Sequence, residues 1–135
     1  MPEPIFLTLE QVLAMHARQI ATYGGDPAAP TERGQGLLES ALAQPQASWG
    51  GQWLNSHPFG MAAAYLYSIC QNHPFEDGNK RVAFDAALTF LLLNGYECMA
   101  SEDDATEFVL QVASGKVPKA TVAEWLAQNS QPYSE

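Results

Sequence analysis

The sequence has few of the residues from which disulfide, metal or membrane proteins are built. Its two cysteines, Cys70 and Cys98, lie in apolar surroundings, with no CxxC or Cys/His spacing. This pattern predicts buried free thiols, and it argues against a disulfide framework or a zinc site. No apolar run approaches the roughly 18 residues of a membrane span, and the first residues lack the features of a signal peptide. We therefore expect a cytoplasmic protein with no membrane partner.

Cations are also scarce. Lys and Arg total 6 against 15 Asp and Glu, and the formal net charge is −9 at pH 7. An acidic surface repels phosphate, so the composition predicts no direct binding of nucleic acid, although one local phosphate site stays possible. The 135 residues, 47% of them hydrophobic, predict a single globular domain, 1–135, with one core.

The apolar periodicity predicts a mainly α fold, a bundle of about six helices around a buried central one. Ten of the twelve residues 82–93 are apolar, so this fourth helix is expected at the centre. Residues 46–56 are expected to form an irregular loop or a small hairpin around Gly50 and Gly51, and a short N-terminal strand over 4–7 or this hairpin is the most β structure expected. Residues 129–135 are expected to fray. Caps and breakers place the helices at 8–23, 37–44, from Pro58 onward, 79–94, 101–115 and 119–128. Thr8 with Gln11 is expected to form a capping box at the first helix, and Asn79 and Ser101 are the expected N-caps of the fourth and fifth helices.

Some features away from the most polar segment have more than one interpretation. His16 falls on the apolar face of the first helix, where a packing role is favoured over a functional one. Trp49 and Trp53 could form a docking surface or cover the core, and the sequence does not separate these two interpretations. The acidic run 102–104 stands at a helix start, where the helix dipole favours carboxylates, so we interpret it as helix stabilisation and not as a metal site.

The segment 73–81, HPFEDGNKR, is the most chemically dense part of the chain. Lys80 and Arg81 fall in the first turn of the fourth helix, where the positive end of the helix dipole disfavours cations. A bound anion would reverse that effect, because free N–H groups and cationic side chains could all donate to it. Gly78 would let the backbone approach a ligand closely. The segment therefore predicts a phosphate site.

Other residues of the same segment supply chemistry. Asp77 beside a phosphate is a typical ligand for Mg²⁺. His73 is the side chain here that is suited to accept a proton near neutral pH. Phe75 is expected to anchor the loop in the core. These parts suit nucleotidyl or phosphoryl transfer to a hydroxyl. Taken singly, each residue also fits an ordinary turn before a helix, but that interpretation does not explain the paired cations.

The segment matches the signature of the Fic/Doc superfamily, H-x-F-x-(D/E)-(G/A)-N-(G/K)-R, and is most similar to its Doc (death-on-curing) branch. The stretches 6–16, 36–46 and 90–96 also resemble segments of that family. The resemblance implies an all-helical fold with the motif in the loop before the central helix. It implies that His73 is the base acting on a target-protein hydroxyl, that Asp77 holds Mg²⁺, and that the nucleotide phosphates contact Gly78, Asn79, Lys80 and Arg81.

Two positions distinguish branches within this resemblance. AMP-transferring Fic enzymes usually have glycine where this chain has Lys80, and a second arginine where it has Phe84. In the Doc branch the lysine goes with transfer of the γ-phosphate of ATP to a threonine of translation elongation factor Tu, and with growth arrest. The resemblance thus implies a kinase. AMP transfer and an inactive binding module with the same fold are the alternatives.

The resemblance also implies a partner chain. Such proteins are commonly toxins of type II toxin–antitoxin pairs, restrained by a small antitoxin. Some Fic proteins carry an internal inhibitory (S/T)-x-x-x-E helix instead, and no Ser or Thr of this sequence has Glu four residues later. Restraint is therefore expected from another chain, docked as a helix in an apolar groove near the first or last helices.

Overall fold

The protein is mainly α-helical, as predicted. The computed structural model describes residues 3–133, and this part of the chain contains six α-helices and one 3-10 turn, Gln44–Gln46. None of these helices is both long enough and apolar enough to cross a membrane. The helices are α1 (Leu9–Tyr23), α2 (Glu32–Ala43), α3 (Phe59–Asn72), α4 (Asn79–Leu93), α5 (Glu102–Ala113) and α6 (Lys119–Gln128).

Two small antiparallel strand pairs complete the fold. Of the two alternatives for residues 46–56, the hairpin is confirmed, with strands β1 (Ser48–Trp49) and β2 (Gln52–Trp53). The second pair, β3 (Tyr96–Cys98) and β4 (Ser130–Pro132), was not predicted. The prediction of fraying over 129–135 is therefore wrong for 130–132, because β3 supplies distant main-chain partners, and residues 134 and 135 lie outside the described part.

The N-terminal segment is held without forming a strand. Residues 4–7 have no strand structure. The Asn94 side chain accepts from Ile5 N–H at 2.9 Å and donates to Ile5 O at 3.0 Å. The Tyr65 hydroxyl accepts from Leu7 N–H at 2.9 Å. Side chains thus replace the strand partner that the sequence prediction assumed.

Helices α1 and α2 differ in how well local sequence signals predicted the residue at which each begins. The capping box of Thr8 and Gln11 at the start of α1 is confirmed. Helix α2 begins at Glu32 and not at residue 37, because Thr31 caps it by accepting from Gly34 N–H at 3.0 Å. A Cβ at Gly34 would overlap the carbonyl oxygen of Pro74, so this glycine allows α2 to lie directly against the motif loop.

The centre of the bundle is shared by α3 and α4. Nine of the 14 residues of α3 are buried, compared with seven of the 15 residues of α4. The expected burial of α4 is confirmed, but α3 is the more completely enclosed helix. Residues 73–78 connect the ends of these two buried helices, so both sides of the motif are fixed by the core.

Burial of two ionisable groups in α3 predicts that alkali destabilises the fold. Burial raises the pKa of the Cys70 thiol to about 11, against the weaker opposing effect of Lys80, and burial raises the pKa of Tyr65 to about 12. The unfolded chain releases both protons at lower pH, so stability is complete below about pH 9 and is lost as pH rises through these values. Urea unfolding between pH 8 and 12 should show this decline. A smaller decline in Cys70→Ala would assign the first part of it, whereas an unchanged profile would contradict the thiol's role.

Candidate active site

The motif loop begins at the C-terminal end of α3. His73 caps this helix with its N–H donating to Ile69 O at 3.0 Å, and its backbone is left-handed, with φ 50° and ψ 57°. Among the described residues it is the one non-glycine residue with positive φ. Glycine is the usual residue at such a cap, because a Cβ is disfavoured there. A histidine that keeps a strained position suggests a function for its side chain.

Phe75 is the buried part of the loop. Its side chain is 2% exposed and stacks on the His16 ring, with 3.9 Å between centroids and 5° between planes. These contacts fit the anchoring role predicted for Phe75. His16 is itself buried, and its packing against the core confirms the interpretation favoured from the sequence, but its partner is the motif itself.

Asn79 does not cap α4, and the predicted N-cap role is therefore wrong. Gly78 is the N-cap residue, with φ 84°, and Asn79 is the first residue of the helix. The buried Asn79 side chain donates to Phe75 O at 2.8 Å and accepts from Phe75 N–H at 2.9 Å. Its amide thus closes the loop on itself, so any contact from Asn79 to a phosphate would come from its main-chain N–H.

The start of α4 presents free donors. The first intrahelical bond runs from Val82 N–H to Gly78 O at 2.9 Å, so the preceding N–H groups of this turn have no intrahelical acceptor. Lys80 and Arg81 are exposed on the same turn, as predicted. The Arg81 guanidinium carbon lies 4.7 Å from the centroid of the Tyr23 ring at the end of α1. This cation–π contact holds Arg81 in place without neutralising it.

Asp77 is exposed beside these donors, and both its main chain and its side chain are held. Its carbonyl oxygen lies 3.0 Å from His16 Nε2, and its Oδ2 accepts from Asp26 N–H at 2.8 Å. These contacts leave Oδ1 available to a cation. The described residues contain no group of three or more His, Cys, Asp or Glu side chains that could hold a metal. Asp77 with phosphate oxygens and water would suit Mg²⁺, which takes one or two carboxylates at such sites.

Asp77 and the first turn of α4 line a pocket of about 1070 Å³, which lies between the end of α1, the start of α4 and helix α5. One end of the pocket is polar and carries five of the predicted site residues, Asp77, Gly78, Asn79, Lys80 and Arg81. The remaining lining, from later turns of α4, from β3 and from α5, is mixed: Asp85, Glu102 and Thr106 stand among the apolar residues Phe84, Leu88, Cys98, Ala105, Val109 and Leu110. The volume and the mixed lining suit a small ligand that carries both charged and apolar groups.

The structure does not place every predicted residue on this pocket. His73 is exposed at the end of α3 and is not among the residues that line it. Tyr23, Asp85 and His16 were not predicted as site residues. Asp85 lines the pocket and accepts from Gln19 Nε2 at 3.2 Å. The signal for Tyr23 was its position just before Gly24, where a helix end can approach a ligand.

The β1–β2 hairpin exposes both of its tryptophans. Trp49 is 82% exposed, so it does not cover the core. Trp53 is 44% exposed, and its ring packs edge-on against Phe6 with 5.4 Å between the ring centroids. The exposure of Trp49 therefore favours the docking interpretation for that residue. The contact with Phe6 favours the covering interpretation for Trp53. A separate groove of about 660 Å³ lies between residues 6–9 and the end of α2.

Comparison with known proteins identifies the family. The family model described as Fic/DOC family matches residues 6–91. The chain is 39% identical over 97 residues to "Toxin Doc" of Mycolicibacterium smegmatis, covering 70% of this chain and 75% of that protein. It is 31% identical over 117 residues to "Protein kinase doc" of Escherichia phage P1, covering 87% and 89%. The chain therefore belongs to the Fic/Doc superfamily, and within it to the Doc branch.

Proposed function

We propose that this protein is a Doc-type toxin that transfers the γ-phosphate of ATP to a hydroxyl of a target protein. By resemblance, the target is elongation factor Tu and the result is arrest of translation. The observation that carries the proposal is the start of α4, where free N–H groups, Lys80 and Arg81 all border the same pocket. The relative named as a protein kinase supports the reaction type.

The phosphates of ATP would be held by main-chain and side-chain donors together. The free N–H groups of the first turn of α4 and the helix dipole favour an anion at this point. Gly78 lines the pocket, and on the side of α1 a Cβ at this position would approach Ile20 Cδ1 to 3.3 Å. Lys80 and Arg81 would add charge-assisted bonds, and Tyr23 limits where the Arg81 guanidinium can move.

Asp77 is the residue that would hold Mg²⁺, through the carboxylate oxygen that Asp26 N–H does not occupy. When bound, the ion would neutralise phosphate charge and orient the group that is transferred. His73 would accept the proton of the target hydroxyl. Its exposure at the end of α3, off the wall of the pocket, leaves it open to a protein approaching from outside.

The surroundings of Phe84 favour phosphate transfer over AMP transfer. Phe84 lines the pocket and packs edge-on against Trp125, with 6.3 Å between ring centroids. In AMP-transferring members of the family a second arginine stands at this position. An apolar wall cannot supply the donors that such an arginine would give to a phosphate, so the phosphates would gather at Lys80 and Arg81.

Labelled ATP tests the reaction directly. Purified protein, Mg²⁺ and elongation factor Tu should yield labelled factor with γ-³²P-ATP and none with α-³²P-ATP. Label from the α-phosphate would establish AMP transfer and overturn the kinase assignment. No label from either nucleotide, with growth arrest that survives Asp77→Ala in cells, would instead support an inactive binding module.

We also propose a cognate antitoxin as a partner of this chain, which the relative named "Toxin Doc" supports. The groove beside α1 and α2 suits an apolar helix face, since its lining includes Phe6, Leu7, Leu9, Leu42 and Ala43. Leu9→Glu and Ala43→Glu, at lining residues that are not buried, should weaken antitoxin binding, whereas Leu110→Glu, at an exposed residue of α5, should not.

A further inference from the structure

His16 links α1 to the motif through two separate contacts. Its ring stacks on Phe75, and its Nε2 lies 3.0 Å from the carbonyl oxygen of Asp77. A carbonyl oxygen only accepts, so this distance requires that Nε2 carries the proton and donates. The residue is 4% exposed, so water does not compete for this bond.

We propose that His16 is a positioning residue for Asp77, and that its donated hydrogen bond fixes the direction in which the Asp77 carboxylate faces the pocket. This inference rests on the proposed role of Asp77 as the Mg²⁺ ligand. His16 would touch neither the ion nor the nucleotide. It would act in the way that residues behind a metal ligand orient that ligand.

The packing around Asp77 explains why one hydrogen bond matters. The preceding loop is fixed by buried Phe75, and the following Gly78 has a φ of 84°, so the Asp77 peptide lies between two constrained points. The end of α1 closes the other side, because a Cβ at Gly25 would lie 3.2 Å from Asp77 Cβ. Asp26 N–H then holds Oδ2. His16 and the 24–26 turn thus hold the main chain and the side chain of Asp77 from one continuous segment.

Two substitutions separate the hydrogen bond from the stacking. His16→Phe keeps an aromatic ring against Phe75 and removes the donor. His16→Gln keeps an N–H donor within reach of the Asp77 carbonyl and removes the ring. If His16 positions Asp77, the Phe variant should weaken Mg²⁺ binding by about 10- to 100-fold, the usual range for losing such a partner, and Gln should recover much of the loss.

The direct measurement is calorimetric titration of ADP with and without Mg²⁺, beside a Mg²⁺ titration of the reaction rate. His16→Phe should raise the apparent Kd and KM for Mg²⁺, leave the Mg²⁺-free affinity for ADP unchanged, and change kcat at saturating Mg²⁺ much less. Equal Mg²⁺ dependence in wild type and His16→Phe would overturn the inference. So would a Gln variant that is as impaired as the Phe variant, because stacking alone would then explain His16.

A measurement on the unsubstituted protein guards against a Phe variant that fails to fold. Imidazole ¹⁵N NMR should assign His16 as the Nε2–H tautomer, and a Nδ1–H tautomer would overturn the proposal. Failure of the proposed function gives a different result. In that case the wild-type protein itself would bind ADP equally well with and without Mg²⁺.

Discussion

Replacing His73 by glycine should abolish phosphate transfer while leaving the fold as stable as before, or more stable. Loss of a general base typically costs about 10²- to 10⁴-fold in rate. The same position has a left-handed backbone, which costs a non-glycine residue about 1–2 kcal/mol. Glycine removes that cost, so activity and stability should move in opposite directions.

His73→Ala is the matched comparison for the glycine variant. It removes the imidazole but keeps a Cβ, so it should lose the same activity with little change in the free energy of unfolding. The two variants should be measured by γ-³²P-ATP labelling and by urea unfolding. Retained labelling in both would remove His73 from the reaction. A glycine variant less stable than the alanine variant would contradict the assignment of strain at this helix end.

Asn79→Ala should damage both the site and the fold. The Asn79 amide pairs with the N–H and the carbonyl of buried Phe75. Alanine would leave both groups without a partner, and each unsatisfied buried group costs about 1–3 kcal/mol. The loop that carries Asp77 would lose its closure. We therefore expect a large loss of transfer together with a destabilisation of about 2–5 kcal/mol.

A control at another helix end separates this effect from the general cost of removing an asparagine. Asn129 at the end of α6 donates to Trp125 O at 2.8 Å and is distant in sequence from the motif. Asn129→Ala should cost about 1 kcal/mol and leave transfer unchanged. Chemical denaturation and nucleotide titration of both variants measure these differences. Equal destabilisation in the two variants would contradict the special role of the Asn79 clamp.

Much of the helical framework followed from local signals. The capping box at Thr8, the cap at Ser101 and the bounds 119–128 of α6 all agree with the structure. These features depend on contacts within a few residues, which a sequence displays directly. Helix α2 was predicted to start too late because Gly34 is a poor helix former, and the contact with the Pro74 carbonyl that favours glycine there is not local.

By itself, the sequence located the candidate site, identified the family and predicted the chemistry that we propose for the site. The order of residues in 73–81 placed cations at a helix start beside a carboxylate, and it identified the family. Through the resemblance to the family, Lys80 and Phe84 also favour the proposed phosphate transfer over AMP transfer. These conclusions depend on residue types at fixed short spacings, so they needed no knowledge of the distant chain.

Only the tertiary structure decided how the motif is held in place. It showed that the Asn79 side chain hydrogen-bonds to the Phe75 main chain and that His16 donates to the Asp77 carbonyl. It also showed that Arg81 makes a cation–π contact with Tyr23 and that β4 pairs with β3. His16 and Asp77 are 61 residues apart, so no local pattern connects them. The physical reason is that hydrogen bonds and ring stacking depend on positions set by the whole core, whereas helix caps and charge placement depend on neighbours in the chain.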